Sequence, residues 1–345
     1  MKIGLKGETI FETMFLATGI LPEKAFAPFF TTVMTNAVLT AQRLNLFELL
    51  ATKPLSVEEV AETLDTDQHA TKVLLEALTA FGYVSRENGR FEIDAGFQKS
   101  LHGRLGDAAQ SILRFAPDVA KKFELLDQAV RTGSVENFHF KPSTETSWPH
   151  YLSFLKSVSG DSVKSLLKNV KLTGKPEKML DVAGGPAQYS IGFCKQYPSL
   201  KATILDLPES AESGKEEVEN AGLSDRISYV EGDFFQTEWG DGYDFALLSN
   251  ILHVLKDEQC EELINRTFNA LKPGGIIVTN DVDFPDEEGP IDFIAGATSL
   301  LYFTMTGART HPTKSIENWI SEAGFTSGAT RKHKNSAQVS GTKPG

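Results

Sequence analysis

Residues 178–190, KMLDVAGGPAQYS, decide the fold, because a short apolar strand runs into a glycine turn and then into a helix. Glycine lets the backbone pass close to a ligand, and the N-terminus of the following helix offers free N–H groups. A glycine turn after a strand is common, and this one departs from the G-x-G-x-x-G fingerprint of dinucleotide-binding folds. The segment therefore predicts a ligand site only together with the strands that follow it.

Short apolar strands and amphipathic helices continue to alternate after this unit. This alternation predicts an α/β fold with a parallel, doubly wound sheet. Such sheets bind ligands beyond the carboxyl ends of their strands, so the residues after each strand are the candidate site residues. The further predicted strands are KATILDL (201–207), RISYVEGD (226–233), YDFALLSNIL (243–252) and GGIIVTNDV (274–282).

Acidic residues follow the second and third predicted strands. Asp206 ends the second strand, where a carboxylate can accept two hydrogen bonds from a ribose diol, or can simply cap a helix ahead of Pro208. Asp233 and Phe234 follow the third strand. A carboxylate beside an aromatic ring suits a purine, whereas the alternative is a polar turn before a core phenylalanine. We favour the ribose and purine roles.

A histidine follows the fourth strand, in Ser249-Asn-Ile-Leu-His253. A single histidine is more often structural than catalytic, but this one lies at the carboxyl edge of a strand, beside the predicted ligand crevice. Asp281 follows the fifth strand and is expected close to His253 across the top of the sheet. The pair suits general base chemistry, because imidazole is mostly neutral at pH 7 and a carboxylate can fix its tautomer.

The N-terminal third predicts helices followed by a winged helix. Residues 8–50 have apolar residues at helical spacing on more than one face, which indicates packing against another helix layer or a second subunit. Ser56 and Glu59 form a capping-box pattern, a second helix spans 67–81, and Asn88-Gly89 marks a hairpin turn. The second helix has no arginine and no basic stripe, so dimerisation is favoured over DNA binding.

An aromatic segment at 137–155, NFHFKPSTETSWPHYLSFL, interrupts an otherwise helical pattern between 100 and 170. Its rings either line an apolar substrate pocket or form core between the two halves, and the sequence leaves both open. The aromatic residues are Phe138, Phe140, Trp148, Tyr151 and Phe154.

The composition favours a soluble, cytoplasmic globular protein of about two domains. The net charge of −12 disfavours nucleic acid and anionic lipid as partners. Cys194 and Cys260 form no close pair, no metal-ligand cluster is visible, and both cysteines are expected to be unreactive thiols. The N-terminus does not read as a signal peptide, no run of about 18 apolar residues predicts a membrane span, and residues 340–345 are expected to fray.

Several segments in order resemble the plant-type and bacterial O-methyltransferase family. Any one of them is modestly specific, but their order along most of the chain is highly specific. They are the glycine-rich LDVAGGPAQYS (180–190), the ribose-binding ILDLPE (204–209), the adenine segment GDFF (232–235), the catalytic segment LHVLKDEQC (252–260), the turn and strand LKPGGIIVTND (271–281) and the tail EAGF (322–325).

The resemblance implies a Rossmann-like class I methyltransferase domain, an N-terminal winged-helix dimerisation domain, and S-adenosylmethionine as cofactor. The implied division is dimerisation domain 1–100, helical linker and substrate-pocket segment 101–170, and catalytic domain 171–345. The resemblance also implies a homodimer with interlocked N-terminal helices. It implies a role in secondary metabolism, in which the enzyme methylates an aromatic or polyketide-like hydroxyl without a metal.

Site residues follow from the resemblance. His253 would be the general base and Asp281 the residue that orients it. The substrate pocket would include Phe140, Trp148, Tyr151 and Phe154. The cofactor-binding residues would be Asp181, Gly184, Gly185, Asp206, Leu207, Asp233, Phe234 and Ser249.

The chain departs from the family pattern at several positions. Ala183 and Ala187 stand where glycine is usual, and Val254-Leu255 replaces a common Asp-Trp. No second acidic catalytic residue aligns, and His311, found nearby, is expected at the surface or rim. The alternatives are carbon or nitrogen methylation, a non-methylating enzyme of the same fold that binds the cofactor, and a winged-helix regulator with a ligand-sensing domain.

Overall fold

The computed structural model describes residues 23–103, 106–138, 147–172, 174–286, 288–333 and 335–345. The chain divides into two compact units, Met1–Ala120 and Lys121–Gly345. The predicted division at residues 100 and 170 stays a prediction. Phe140 and the predicted helical residues 8–22 lie outside the described residues.

The first unit is helical with a small wing. Ser56 and Glu59 form the predicted capping box, Asp67 caps the second helix of the motif, and Asn88-Gly89 is the turn of the two-stranded hairpin. The predicted winged helix is confirmed. The elements are α1 (Glu23–Arg43), α2 (Leu46–Leu50), α3 (Val57–Leu64), α4 (Gln68–Ala80), β1 (Val84–Glu87), β2 (Arg90–Ile93), α5 (Ala95–His102) and α6 (Gly106–Phe123), whose last turn belongs to the second unit.

Helix α1 buries one face in this unit and exposes another. Val38 and Ala41 pack in the core with residues of α2, α4 and the hairpin. Towards its N-terminus, large apolar side chains are 42–64% exposed, namely Phe26, Phe29, Phe30 and Val33. Burial of such a surface is favourable at roughly 25 cal/mol per Å², so this face is suited to contact with another apolar surface.

The second unit contains a seven-stranded sheet in the order β5-β4-β3-β6-β7-β9-β8. The five strands β3 to β7 are parallel to one another. The five predicted strands and the doubly wound α/β class are confirmed. The strands are β3 (Lys178–Val182), β4 (Lys201–Asp206), β5 (Ile227–Glu231), β6 (Tyr243–Ser249), β7 (Leu271–Val282), β8 (Thr326–His333) and β9 (Ser336–Thr342).

Alternate side chains of the parallel strands pack on opposite faces of the sheet, because the side-chain period of a strand is two. Phe245 and Leu247 pack on one face with Met179, whereas Ala246 and Leu248 pack on the other with Leu180. Helices pack on both faces of the sheet. The helices of this unit are α7 (Leu126–Thr132), α8 (Ser147–Asn169), α9 (Gln188–Gln196), α10 (Pro208–Asn220), α11 (Asp257–Ala270), α12 (Phe293–Thr306) and α13 (Thr313–Glu322).

The C-terminus differs from the expectation of a frayed end. Residues Ser340 to Thr342 belong to β9, which pairs antiparallel with both β7 and β8. Lys343 donates its backbone N–H to the carbonyl of Gly275 at 2.8 Å. The small, polar composition of the segment concealed a strand, because its stability comes from pairing with β7 rather than from local pattern.

Among the described residues, no helix is both long and apolar enough to cross a membrane.

Candidate active site

The glycine turn after β3 meets the carboxyl end of β4. Asp206, at the end of β4, accepts the backbone N–H of Gly185 through Oδ2 and that of Leu207 through Oδ1, both at 2.7 Å. The carboxylate is buried, and burial raises its pKa despite these hydrogen bonds. Each carboxylate oxygen keeps further acceptor capacity, so Asp206 can still accept hydroxyl donors from a ligand.

Two alanines of this turn adopt backbone conformations that favour glycine. Ala183 has φ 56° and Ala187 has φ 62°, both in the left-handed region. For residues other than glycine this region costs about 1–2 kcal/mol, because Cβ approaches the following carbonyl. The turn thus keeps the shape of a glycine-rich loop without glycine at these two positions.

Gly184 has a neighbour on the side where other residues carry Cβ. A Cβ placed there would lie 2.8 Å from Cγ of Asp181 and 2.9 Å from Cγ2 of Ile204. We expect Gly184→Ala to lower the free energy of unfolding by about 1–3 kcal/mol through overpacking. Chemical denaturation measures the change.

Gly160→Ala in α8 is the matched control, because a Cβ at Gly160 has no atom within 4 Å. That substitution should leave stability unchanged or raise it by up to about 1 kcal/mol, since alanine is the better helix former. Equal effects of the two substitutions would contradict the steric role of Gly184.

Asp181 lies directly beneath the glycine turn and is fully buried. Its Oδ2 accepts the Ser190 hydroxyl at 2.7 Å, whereas its Oδ1 has no hydrogen-bond partner among the described residues. Burial raises the pKa of Asp181 to about 7. A buried carboxyl oxygen with no partner is costly in the protein alone, which makes it suited to a polar or cationic ligand.

Asp181 should make stability depend on pH. The unfolded pKa is about 3.9, so between about pH 4 and 7 the folded state alone holds the proton, and stability falls as pH rises through that window. Asp181→Asn should therefore stabilise the protein at pH 8, by up to a few kcal/mol at about 1.4 kcal/mol per pKa unit, and much less at pH 4. Urea denaturation at the two pH values measures it.

Asp225→Asn, at an exposed turn position, is the control and should not stabilise the protein at pH 8 as Asp181→Asn does, because it removes no buried carboxylate. An Asp181→Asn effect of the same size at both pH values would show that burial of the Asp181 charge is not its cause.

The residues after β5 have mixed environments. Asp233 is half-buried, and its carboxylate accepts the backbone N–H of Phe235 at 2.8 Å and the Gln236 amide at 3.0 Å. Phe234 is buried in the core of the second unit, and its carbonyl accepts the Trp239 indole N–H. The purine roles of Asp233 and Phe234 stay predictions.

His253 lies in a 3₁₀ turn, Leu252–Val254, just after β6, and is 3% exposed. Its Nδ1 is 2.5 Å from Oδ1 of Asp281 in β7. Oδ2 of Asp281 accepts the backbone N–H of Leu252 at 3.0 Å. The expected proximity is found, and the same carboxylate holds both the imidazole and the turn that carries it.

The charge of Asp281 follows from its surroundings. Burial works against ionisation of Asp281, but the charge and hydrogen bond of His253 outweigh it and hold the pKa of Asp281 below its usual range. An ionised carboxylate only accepts hydrogen bonds, so Nδ1 of His253 carries a proton. Nε2 is then the ring nitrogen that can take up a proton whenever the imidazole is neutral, as a general base requires.

Tyr302 in α12 stacks on His253, with ring centroids 3.7 Å apart and ring planes 19° from parallel. Burial, and then the charge of Asp281, raises the pKa of the Tyr302 phenol, so it stays protonated. No motif predicted a role for Tyr302, since it stands in an apolar helix. The stacking fixes the plane of the imidazole.

Three of the aromatic residues of the 137–155 segment form a cluster. Phe138, Trp148 and Tyr151 have ring centroids 5.4–5.6 Å apart. Burial, and then the charge of Asp206, raises the pKa of Tyr151. Phe154 is half-buried on the same helix. Whether these rings bind a substrate stays a prediction.

Ser249 joins a buried polar network rather than standing alone. Its hydroxyl oxygen accepts the Asn280 amide at 3.0 Å, and the same amide is 3.2 Å from the Ser162 hydroxyl in α8. Gln338 in β9 donates to Oδ1 of Asn280 at 3.4 Å. These bonds connect the ends of β6 and β7 with α8.

His311 is not at the rim, contrary to the expectation from sequence. It is 3% exposed, and its Nε2 is 3.0 Å from the carbonyl oxygen of Leu252 and 2.9 Å from that of Leu255. Thr310 and Pro312 flank His311, and no apolar pattern surrounds it, so its burial could not be predicted from neighbouring residues. Its contacts are with the turn that carries His253, more than 50 residues away in sequence.

Among the described residues, no group of three or more His, Cys, Asp or Glu side chains could hold a metal ion.

The fold and the strand-end residues define a Rossmann-like methyltransferase domain, and comparisons with known proteins agree. A family model described as O-methyltransferase domain matches residues 125–326, more than half of the chain. A second, described as O-methyltransferase dimerisation domain, matches residues 28–100. The chain belongs to the O-methyltransferase family, and the predicted class, an S-adenosylmethionine-dependent methyltransferase, is confirmed.

Individual relatives share about a quarter of their residues with this chain. The 3-hydroxy-5-methyl-1-naphthoate 3-O-methyltransferase of Streptomyces sahachiroi is 27% identical, over 84% of this chain and 85% of its own. The L-tyrosine C(3)-methyltransferase of Streptomyces lavendulae is 26% identical, over 83% and 81%.

A solved structure confirms the fold. It is an O-methyltransferase from neocarzinostatin biosynthesis in complex with S-adenosylmethionine and 2-hydroxy-5-methyl naphthoic acid. The two chains are 20% identical and superpose with a TM-score of 0.76, over 90% of this chain and 96% of the other.

Proposed function

We propose that this chain transfers a methyl group from S-adenosylmethionine to a hydroxyl of a small aromatic or polyketide-like molecule, with His253 as general base. The observation that carries the proposal is the buried His253–Asp281 pair at the carboxyl edge of the sheet. Asp281 engages Nδ1, so Nε2 is the nitrogen suited to take the proton of an acceptor hydroxyl.

The glycine turn and its neighbours fit the cofactor. S-adenosylmethionine carries an ammonium group on its methionyl part and a ribose, and supplies an electrophilic methyl carbon bonded to its sulfonium sulfur. The Asp181 oxygen without a partner suits a cationic or hydrogen-bond-donating ligand, and Asp206 suits a diol. The residues proposed to hold the cofactor are Asp181, Gly184, Gly185, Asp206, Leu207, Asp233, Phe234 and Ser249.

His253 and Asp281 would act together during transfer. When bound, S-adenosylmethionine would supply the methyl group, and its sulfur would keep the electron pair of the broken methyl–sulfur bond and leave as S-adenosylhomocysteine. As the acceptor oxygen takes the methyl group, the hydroxyl proton would pass to Nε2 of His253, and the imidazole would become positively charged. Asp281 stabilises that charge from Nδ1, and Tyr302 keeps the ring in plane. General base help of this kind contributes about 10²–10⁴-fold, and holding both reactants in line contributes about 7–11 kcal/mol.

Aromatic side chains near the base support a planar acceptor. Tyr302 stacks on His253, and Trp148 and Tyr151 belong to an aromatic cluster in the same unit. Flat rings bind planar ligands by offset or edge contacts worth about 0.5–1.5 kcal/mol beyond burial. Two relatives named above act on or bind a naphthoate, which is the class of acceptor that we propose for this chain.

Methylation of carbon is the second candidate, because one relative is an L-tyrosine C(3)-methyltransferase. Transfer of a deuterated methyl group, followed by mass spectrometry and NMR of the product, distinguishes the two. A label on oxygen supports the main proposal, and a label on a ring carbon supports the alternative.

The exposed apolar face of α1 supports a homodimer. Phe29 is 64% exposed and Phe30 is 52% exposed, and the dimerisation-domain model covers both residues. Light scattering should give a mass near twice 37.8 kDa. Phe29→Asp combined with Phe30→Asp should give the monomer, because charges on this face oppose burial.

Thermal unfolding with S-adenosylmethionine tests the cofactor first. At about 100 times its dissociation constant the ligand stabilises the folded protein by roughly 2.7 kcal/mol. The midpoint of thermal unfolding should rise by about 2–4 °C for each kcal/mol of that stabilisation. Turnover is then followed as S-adenosylhomocysteine release with 3-hydroxy-5-methyl-1-naphthoate and related hydroxyarenes. A cofactor shift without transfer to any hydroxyarene would contradict the acceptor class.

A further inference from the structure

The turn that carries His253 is held from two sides. On one side Asp281 binds the imidazole and the N–H of Leu252. On the other side His311, from the segment between α12 and α13, faces the carbonyl groups of Leu252 and Leu255 with one ring nitrogen. These carbonyls flank His253 in sequence, so the second contact acts on the backbone of the same turn.

The tautomer of His311 follows from its partners. Carbonyl oxygens only accept hydrogen bonds, so Nε2 of His311 carries a proton and shares it between the two carbonyls. Nδ1 lies 3.3 Å from Oδ1 of Asp257, outside hydrogen-bond geometry. The imidazole therefore donates to the His253 turn in its neutral and its cationic form alike.

The surroundings of His311 keep it in place. Its ring meets that of Trp319 edge to face, with centroids 5.0 Å apart. Sγ of Cys260 lies 3.5 Å from its Nε2 and also 3.5 Å from the Leu252 carbonyl. Burial raises the pKa of Cys260, so the sulfur stays a thiol and adds no charge. His311 thus connects the 3₁₀ turn with Cys260 of α11 and Trp319 of α13.

We propose that His311 is a positioning residue for methyl transfer: it fixes the backbone of the 252–255 turn so that Nε2 of His253 meets the acceptor hydroxyl. His311 itself touches neither reacting group. This inference rests on the proposed role of His253 as the base. A base displaced by about 1 Å can lose about 10²-fold in rate, so the effect of His311 should appear in turnover rather than in cofactor affinity.

Three substitutions separate the donor from the bulk of the side chain. His311→Leu removes the N–H donor. His311→Gln has an amide N–H near the position of Nε2, whereas the amide of His311→Asn is one bond shorter and lies farther from the two carbonyl groups. With 3-hydroxy-5-methyl-1-naphthoate as probe, His311→Leu and His311→Asn should lower kcat by about 10–100-fold. His311→Gln should keep kcat near wild type, and the dissociation constant of S-adenosylmethionine should not change in any of the three.

A double-mutant cycle with His253→Ala distinguishes positioning from general destabilisation. If His311 acts through His253, His311→Leu should lower kcat no further in the His253→Ala background. Full additivity of the two losses would overturn the inference. If His253→Ala alone leaves turnover unchanged, the proposed base is wrong; if it lowers turnover and the His311 variants do not, only the inference on His311 is wrong.

A spectroscopic measurement on the ligand-free enzyme does not depend on the acceptor. With ¹⁵N-labelled histidine, the Nδ1–H proton of His253 bonded to Asp281 should be protected from exchange in wild type and in His311→Gln. In His311→Leu and His311→Asn it should exchange faster with solvent. Equal protection in all four proteins would overturn the inference, even where a variant retains its fold and cofactor binding.

Discussion

Replacing His253 by alanine should lower kcat by about 10²–10⁴-fold, because the acceptor hydroxyl would then lose its proposed base. The imidazole is buried against Asp281 and Tyr302. Turnover is measured as S-adenosylhomocysteine release with a hydroxynaphthoate acceptor. The shift in unfolding midpoint caused by S-adenosylmethionine should persist, since His253 lies outside the proposed cofactor residues.

His253→Gln is the matched control, because it preserves side-chain volume and hydrogen bonding but cannot act as a base near pH 7. It should be as inactive as His253→Ala. Turnover within a few-fold of wild type in both variants would remove His253 from the chemistry and favour an enzyme that works by positioning alone.

Asp281→Asn should lower kcat by about 10²-fold, the lower end of the range for general base help. The amide keeps the size of the carboxylate, but it has no charge to stabilise the imidazolium and can offer an N–H to Nδ1. That contact would favour the tautomer with the proton on Nε2, where a base cannot accept another. Steady-state kinetics over pH measures the loss.

Asp283→Asn is a control in the same segment, since Asp283 pairs with Lys332 and Thr313 rather than with His253. It should keep kcat near wild type. Loss of stability rather than of turnover in Asp281→Asn, seen as a lower unfolding midpoint with kcat retained, would mean that Asp281 only supports the turn through the N–H of Leu252.

Local pattern was sufficient for the elements of this fold. The capping box at Ser56, the hairpin turn at Asn88-Gly89 and the five parallel strands were predicted from residues adjacent in sequence. The proximity of His253 and Asp281 was also predicted, although 28 residues separate them. Carboxyl ends of neighbouring parallel strands meet at one edge, so strand order alone brings such residues together.

Other features have no local signal. The strand at Ser336–Thr342 is small and polar, and forms because β7 offers an edge to pair with. Tyr302 stands in an apolar helix, and its stacking on His253 depends on how α12 packs over the turn. The burial of His311 depends on two carbonyl groups that lie 56 and 59 residues before it.

The sequence by itself thus determined the fold class, the family and the proximity of His253 and Asp281, because periodicity, turn chemistry and strand-end position are properties of neighbouring residues. The tertiary structure alone decided what surrounds that pair: the ring that stacks on His253, the donor that fixes its turn, and the buried Asp181 oxygen without a partner. Burial and non-local hydrogen bonds depend on packing between elements, and the hydrophobic periodicity of a single segment does not predict which elements pack together.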